Sequence, residues 1–431
     1  MDQIPVFVHA SDLHLGSPLG GLGKGLSGEN RRELLNKAEK AFDNLIDETI
    51  KINAEFLVVA GDIYDSGEGE PSIRERFASA LQRLLDAGVG VYLIHGNHDP
   101  VSINRSKLVP LPTGVKVFAP WTPLDGDPTK GPTGTVEHVT HVLRDGRSVV
   151  IAGVSYRTDE ETPNLTPLFD GISRGDSCAV IGILHTGSKG GKGSYAPCTP
   201  TDLESKPVDY WALGHIHARS IESMGPYRYR AYCGNPQGRD IGEPGAHGAL
   251  VVPIANRGVE KPIFIELDEF RFFEVKVDCE GVMDESIDKL EELVGETIGA
   301  LNQSKPLIVR VKLVGRSNLV KVAGAKLKLE ESLTKRLSSG PLNGGYVEEV
   351  SSNLLPPLDM AQLRERDDIV GAVIRAIDEL DLIKSLQDEL GESMYLSEQE
   401  MYLSEQEKED LRSKIMSDLI QSIVSSEDVT T

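Results

Sequence analysis

The sequence predicts an α/β fold whose first part is a parallel sheet with crossover helices. Three observations carry that prediction. Over the first 100 residues short apolar runs alternate with stretches of helical period. Each apolar run stops at a cluster of Gly, Asp, Asn or His. The composition, 39% hydrophobic and 26% charged over 431 residues, suits two or three domains that each bury a core.

Ile4–Val8 reads as a short strand running into Ser11-Asp12-Leu13-His14. Glu29–Ile52 carries Leu34, Leu35, Ala38, Phe42, Leu45, Ile46 and Ile50 on one stripe, as an amphipathic helix does. Phe56–Ala60 is a second buried strand, ending at Gly61-Asp62. Ile73–Asp86 is a helix stopped before Gly88, and Val89–Ile94 is a third strand ending at Gly96-Asn97-His98-Asp99. Strand, helix, strand, helix, strand is the pattern of right-handed crossovers. From about Val115 to Pro253 the helices thin out, and Ala179–Leu184, Tyr210–Leu213, Tyr227–Tyr232 and Ala249–Pro253 predict a second, more antiparallel layer.

Phe272–Val277, an acidic helix near Glu285–Leu301, and Leu307–Leu313 form a separate β-α-β unit, with a break at Pro356-Pro357. The tail is helical in pattern: Ile369, Val370, Val373, Ile374, Ile377, Leu380 and Ile383 recur at steps of three and four, and Leu411, Ile415, Leu419 and Ile423 at steps of four. Between them Met394–Glu400 is repeated letter for letter as Met401–Glu407. A seven-residue insertion turns a helix by only ~20°, so the duplication need not scramble a helical face. The expected domains are 1–265, 266–355 and 356–431.

The net charge is −22, and the tail from Asp359 holds 19 acidic against 7 basic residues. Acidity of this kind disfavours long-range attraction to nucleic acid, but it is concentrated away from the first domain. No apolar run approaches the roughly 20 residues of a membrane span. The N-terminus lacks the basic start and long apolar stretch of a signal peptide. Cys178, Cys198, Cys233 and Cys279 are widely spaced, which argues against a disulfide framework or a cysteine zinc site and predicts a reducing cytoplasm.

Five motifs fall where predicted strands end: Asp12-Leu13-His14, Gly61-Asp62, Gly96-Asn97-His98-Asp99, His185 in Ile183-Leu184-His185-Thr186, and Gly214-His215-Ile216-His217. In open α/β sheets ligands gather at the carboxyl edge. That edge would bring together two Asp, one Asn and four or five His. Residues two apart share a direction on extended backbone, so Asp12 with His14, and His215 with His217, are each placed to clasp one ion. Oxygen and nitrogen donors without thiolate suit Mn²⁺, Fe²⁺, Zn²⁺ or Mg²⁺. Seven ligands exceed one ion's needs, whereas two ions sharing a carboxylate absorb them, as in two-metal phosphoester chemistry.

This ordered series resembles that of the calcineurin-like metallophosphoesterases. Asp12-Leu13-His14-Leu15-Gly16-Ser17-Pro18, Tyr195-Ala196-Pro197-Cys198, Tyr210-Trp211-Ala212-Leu213-Gly214-His215-Ile216-His217 and Gly234-Asn235-Pro236-Gln237-Gly238-Arg239 resemble the SbcD/YhaO group of DNA repair exonucleases within it. The likeness spans residues 5–253. It implies a four-layer α/β/β/α metallophosphoesterase fold, a small α+β capping domain and a helical C-terminal tail. It further implies one ion held by Asp12, His14 and His217, another by Asn97, His185 and His215, and Asp62 bridging them. Water acidified by the ions would be the nucleophile, His98 would serve the leaving oxygen, and Asp99 would orient His98. Some relatives carry a histidine where Asp65 stands, so a DNA contact of that histidine does not transfer.

The same resemblance implies Mn²⁺, a homodimer, and an SbcC-like coiled-coil ATPase docked on the C-terminal helices. The expected activity is metal-dependent DNA exonuclease and endonuclease cleavage. Hydrolysis of a small or cyclic nucleotide, or a non-catalytic scaffold role, are the rivals. Lys189 and Lys192, in a glycine-rich loop lacking the GxxxxGK[ST] pattern, and Arg239 are candidate substrate contacts. Gly23–Gly28 matches GxGxxG but lies too far beyond its strand, and reads as a flexible loop. Tyr227–Tyr232 reads as a half-buried strand with its arginines in solvent, and His9 and His95 read as core histidines.

Overall fold

The computed structural model describes residues 4–19, 28–65, 71–102, 109–127, 131–187, 195–320, 326–357 and 360–379. β1 (Val6–Ala10), α1 (Gly28–Lys51), β2 (Phe56–Ala60), α2 (Pro71–Asp86), β3 (Gly90–Ile94) and β4 (Val115–Val117) alternate strand and helix. β5 (Thr122–Pro123) and β6 (Pro132–Thr133) form a small ribbon. β7 (Glu137–Val142), β8 (Ser148–Val154), β9 (Ala179–His185), the short α3 (Pro200–Glu204), β10 (Tyr210–Gly214), β11 (Ser220–Gly225), β12 (Arg228–Tyr232), β13 (Gly248–Pro253) and β14 (Ile263–Glu266) follow.

These strands make two six-stranded sheets, ordered β14-β13-β1-β2-β3-β4 and β11-β12-β10-β9-β8-β7. In the first, β1 to β4 run parallel, and β13 and β14 close one edge antiparallel. The second sheet differs from the more antiparallel layer expected. β8, β9, β10 and β12 are parallel, and only β7 and β11 at the edges are antiparallel. Both sheets thus present parallel carboxyl ends, and the site is built there.

Strand alternation sorts the core into layers. Phe7, Phe56, Val58, Ile151, Ile181, Tyr210 and Ala212 point between the sheets, where Phe7 and Phe56 stack with centroids 4.8 Å apart. Val8, Ala10, Leu57 and Val59 point outward against Phe42, Leu45 and Ile46 of α1 and Phe77, Leu81 and Leu84 of α2. Each fully buried side chain of this kind contributes about 1.5–3 kcal/mol. Asn53, with φ 53°, closes α1 as Ala54 N–H bonds Thr49 O at 3.2 Å, and Gly88, with φ 73°, closes α2. The outer face of the second sheet has a thinner cover: Trp211 packs on Phe169 of a 3-10 turn at 4.6 Å and donates its indole N–H to Leu203 O at 3.0 Å. These are the four layers.

β15 (Arg271–Asp278), α4 (Ile287–Gly299), β16 (Leu307–Arg316), α5 (Lys326–Leu337) and β17 (Tyr346–Leu355) form a three-stranded sheet with two helices. Phe270, Phe272 and Ile308 pack it against Leu34 of α1. This region is compact with the two large sheets, while Cys279–Glu285, 315–320 and 354–379 separate as a second unit. By contact, the ends of the last two strands of the small sheet group with the chain that follows them, and β14 runs to Glu266. In the second unit Ser317 N–H bonds Leu355 O at 2.8 Å, followed by α6 (Met360–Arg364) and α7 (Ile369–Glu379) with Ile374 buried. Leu380, Ile383, the Leu411–Ile423 stripe and the 394–407 duplication lie outside the described residues. Among the described residues no helix is long and apolar enough to cross a membrane.

Candidate metal centre

All five motifs sit at carboxyl ends of parallel strands: β1, β2 and β3 of one sheet, β9 and β10 of the other. Asp12, His14, Asp62 and His215 hold positive φ of 52°, 44°, 50° and 97°, a conformation costly for such residues and found where surroundings over-determine it. The surroundings are visible. Asp12 N–H bonds Gly61 O and His14 N–H bonds Asp62 O, both at 3.0 Å, locking the first two loops together. His215 N–H donates to Asp12 Oδ1 at 3.0 Å, joining the two sheets. Gly96 has to be glycine, because a Cβ there would collide with the Asp62 carboxylate and lie 2.7 Å from His185.

The donors fall into overlapping clusters, Asp12/His14/His217, His14/Asp62/His98 and Asp62/His185/His215. Their ring orientations test whether cations fit. His217 Nδ1 lies 2.6 Å from Glu243 Oε1, so that ring turns its N–H to a carboxylate, while His14 Nδ1 lies 3.3 Å from Asp65 Oδ1 without the alignment of a hydrogen bond. Their Nε2 atoms then face one another at 3.1 Å. His185 Nδ1 donates to Ala60 O at 2.9 Å, leaving its Nε2 toward Asn97 Oδ1 at 2.9 Å and Asp62 Oδ2 at 3.4 Å. His215 Nδ1 reaches the same Asn97 oxygen at 3.0 Å. Lone pairs that converge in this way are met by protons or by shared cations, and the hard or borderline N/O donor set suits divalent ions. The residues fit a dinuclear centre with Asp62 common to both halves.

The charges in the bare protein agree. Burial works against the charged form of His185, yet the facing Asp62 carboxylate outweighs it and lifts the pKa to about 9. Burial likewise opposes ionised Asp62, but the His185 charge holds it well below the usual carboxylate range. His215 falls to about 3 through burial and the neighbouring His185 charge. Burial lowers His217, but the bond to Glu243 together with the Asp12 and Glu243 charges outweighs it and raises the net value. Burial opposes ionised Glu243, yet the bond and charge of His217 and the donors Asn235 and Arg239 together bring it to about 2.

His98, half-buried, packs edge-on against His14 with centroids 4.8 Å apart. Asp99 does not orient it, which corrects the expected role. The Asp99 carboxylate accepts Gly96 N–H at 2.9 Å and Ile63 N–H at 3.2 Å and pairs with His95 at 3.2 Å. His98 Nδ1 is held instead by the carbonyl of Asp65 at 2.8 Å. Asp99 acts through the loop because neighbours in sequence point to opposite sides. Arg239, expected at the substrate, has its guanidinium on Asp65 Oδ1 at 2.7 Å. Lys189 and Lys192 lie outside the described residues. The arginines of β12 are not in solvent: Arg230 pairs with Glu204 at 2.6 Å and with Glu222, and Arg228 caps the carbonyls of Val208 and Lys206. His9 is buried on Tyr210 OH at 2.9 Å.

Sequence reasoning missed Glu243, Asn235 and the side chain of Asp65, which stand behind the ligands; only the Gly234–Arg239 likeness pointed to that loop. Residues 5–219 match the calcineurin-like phosphoesterase family. Among curated proteins the chain is 27% identical to the uncharacterized metallophosphoesterase YhaO of Bacillus subtilis over 331 residues, 76% of each chain. It is 26% identical to the DNA double-strand break repair protein Mre11 of Aeropyrum pernix over 56% of this chain and 57% of that one. It is also 26% identical to the SbcD component of the nuclease SbcCD of Escherichia coli K12, over 53% of this chain and 60% of the relative. The chain thus spans three quarters of YhaO but only about 57–60% of the other two relatives. With an Asp62-centred pair of donor clusters at the expected strand ends, this chain belongs, through residues 5–219, to the calcineurin-like phosphoesterases and is a metal-dependent phosphoester hydrolase by family.

Proposed function

We propose that this protein is a two-metal DNA nuclease that hydrolyses phosphodiester bonds during DNA end processing or repair. The observation that carries the reading is Asp62, shared by two donor clusters, with His98 tied to it through a 2.9 Å bond from the His98 N–H to Asp62 Oδ1. Asp12, His14 and His217 would hold one ion and Asn97, His185 and His215 the other. Two divalent ions bound there supply Lewis acidity toward the phosphoryl oxygens and acidify a water nucleophile. The chain's own contribution beyond ligation is at His98. Its Nδ1–H is committed to the Asp65 carbonyl, so Nε2 is the atom that exchanges a proton with the leaving oxygen.

DNA as substrate is supported by the Mre11 and SbcD relatives, whose names state double-strand break repair and nuclease activity. Mn²⁺ as the ion, a homodimer, an SbcC-like ATPase on the C-terminal helices and a cytoplasmic setting belong to the same proposal; the four buried free thiols suit a reducing compartment. An acidic nuclease of net charge −22 would borrow DNA affinity from such a partner, and that affinity would fall steeply with salt.

The test is the purified chain with Mn²⁺ on end-labelled duplex and single-stranded DNA, with cyclic dinucleotides in parallel and His98→Asn as control. Degradation of DNA that the variant loses supports the reading. Turnover of the small diester alone replaces it with a nucleotide phosphodiesterase. Inactivity on both, persisting with an SbcC-like ATPase added, overturns it. Deletion of 359–431 without loss of ATPase binding removes the docking proposal.

A further inference from the structure

Behind the ligands lies a polar cluster that the reaction itself does not use. Glu243, in the loop between β12 and β13, receives three donors: His217 Nδ1–H at 2.6 Å, Asn235 Nδ2–H at 2.7 Å and the Arg239 backbone N–H at 2.8 Å. Asn235 is fully buried and is itself fixed by His247, 2.6 Å from its Oδ1. Arg239 carries the connection onward, since its guanidinium meets Asp65 Oδ1 at 2.7 Å and that same oxygen faces His14 Nδ1 at 3.3 Å. The two histidines that would share an ion with Asp12 are therefore backed by two carboxylates joined through one arginine.

We propose that Glu243 is a positioning residue of the metal centre, holding His217 in the tautomer and rotation that turn Nε2 toward the ion, and linked through Arg239 to Asp65 behind His14. A carboxylate is required there because all three partners donate. A glutamine would set its NH₂ either against the Asn235 and Arg239 donors, which unseats the side chain that holds the ring, or against His217 Nδ1–H, which releases the ring or switches its tautomer. The inference rests on the two-metal reading above.

The experiment compares the full chain with Glu243→Gln, Glu243→Asp and Glu243→Ala by calorimetric titration with Mn²⁺, after thermal melts confirm that each metal-free variant folds. Histidine-labelled ¹⁵N spectra report the tautomer of His217. Glu243→Gln and Glu243→Ala are expected to weaken the binding of one of two ions by roughly 10–100-fold. Glu243→Asp, which keeps the acceptor oxygens, is expected to recover part of the loss. Unchanged affinity and an unchanged His217 tautomer in folded Glu243→Gln overturn the positioning role while leaving the nuclease proposal intact. A wild-type chain that binds no Mn²⁺ overturns both, and the two failures are told apart by the wild-type titration alone.

Discussion

Two sets of histidines share this domain and behave oppositely. On the rim where the sheets end, His14, His185 and His217 each present one ring nitrogen to a carboxylate or carbonyl and turn the other toward further acceptors or toward one another. Inside the strands, His9 of β1 meets the Tyr210 hydroxyl at 2.9 Å and His141 of β7 meets the Tyr92 hydroxyl at 2.8 Å. A hydroxyl donates or accepts as required, so neither ring needs a charge to meet it, although His9 Nε2 is buried without a hydrogen-bond partner among the described residues. Burial does not separate the sets, since His9 and His185 are both fully buried. What separates them is what each ring faces: a single hydroxyl inside the strands, and carboxylates, carbonyls and further rings on the rim.

The largest effect is expected where both halves of the rim depend on one side chain. Asp62→Asn removes the shared carboxylate, and with it transition-state stabilisation of several kcal/mol from each ion. Phosphodiester hydrolysis should fall on the order of 10⁴-fold or more, and calorimetry should find fewer than two Mn²⁺ per chain. Two ions still bound at wild-type affinity would break the comparison at its centre. Next comes His98, a rim residue proposed to serve the leaving group and not an ion. His98→Asn should lower kcat by about 10²–10⁴-fold with Mn²⁺ stoichiometry unchanged. A parallel loss of metal would move His98 into the ligand set.

Much of the rim was legible because parallel strands in an α/β fold must end together, so motifs far apart in sequence share one edge. The helices α1 and α2 were legible within two residues, since their apolar stripes pack on one sheet face. β7, β11 and β17 were not recognised, being sheet-edge strands whose patterns exposed positions interrupt, as in Glu137-His138-Val139-Thr140; β8 was missed too, although it is a buried inner strand, because its unbroken apolar run carries no alternation. The second sheet was expected to be more antiparallel because its short connections lack periodic helices, yet a 3-10 turn and the five-residue α3 suffice as outer cover. Glu243 was invisible for another reason. It lies in a Gly- and Pro-containing loop 26 residues from His217, and nothing in local spacing marks an outer partner of a ligand.

Metal removal sharpens the contrast at smaller magnitude. If rim lone pairs need cations, Mn²⁺ at about a hundredfold excess over Kd should stabilise the fold by about 2.7 kcal/mol per ion, read as a rise in Tm that EDTA reverses. His217→Ala should lose part of that rise. His9→Gln should retain it in full, because its ring faces the Tyr210 hydroxyl inside the strand and none of the rim donors, and a His9 variant blind to Mn²⁺ would erase the distinction between the two sets.

The last effect concerns His9 itself and runs through protons alone. Burial lowers its pKa from 6.5 to about 3. Above the unfolded value of 6.5 the ring is neutral in both states and contributes no pH dependence. As pH falls from 6.5 toward 3, the unfolded chain takes up a proton that the folded chain refuses, so stability is lost with a slope approaching about 1.4 kcal/mol per pH unit. Below the folded value both states are protonated and the slope disappears. Urea denaturation in EDTA between pH 7 and pH 4 should therefore show a shallower decline for His9→Gln than for wild type, even though the variant starts less stable through the altered Tyr210 contact. Superimposable slopes would mean that His9 accepts a proton in the folded core, as a rim histidine does when its ion is withheld, and the line drawn between strand interior and strand end would have to move.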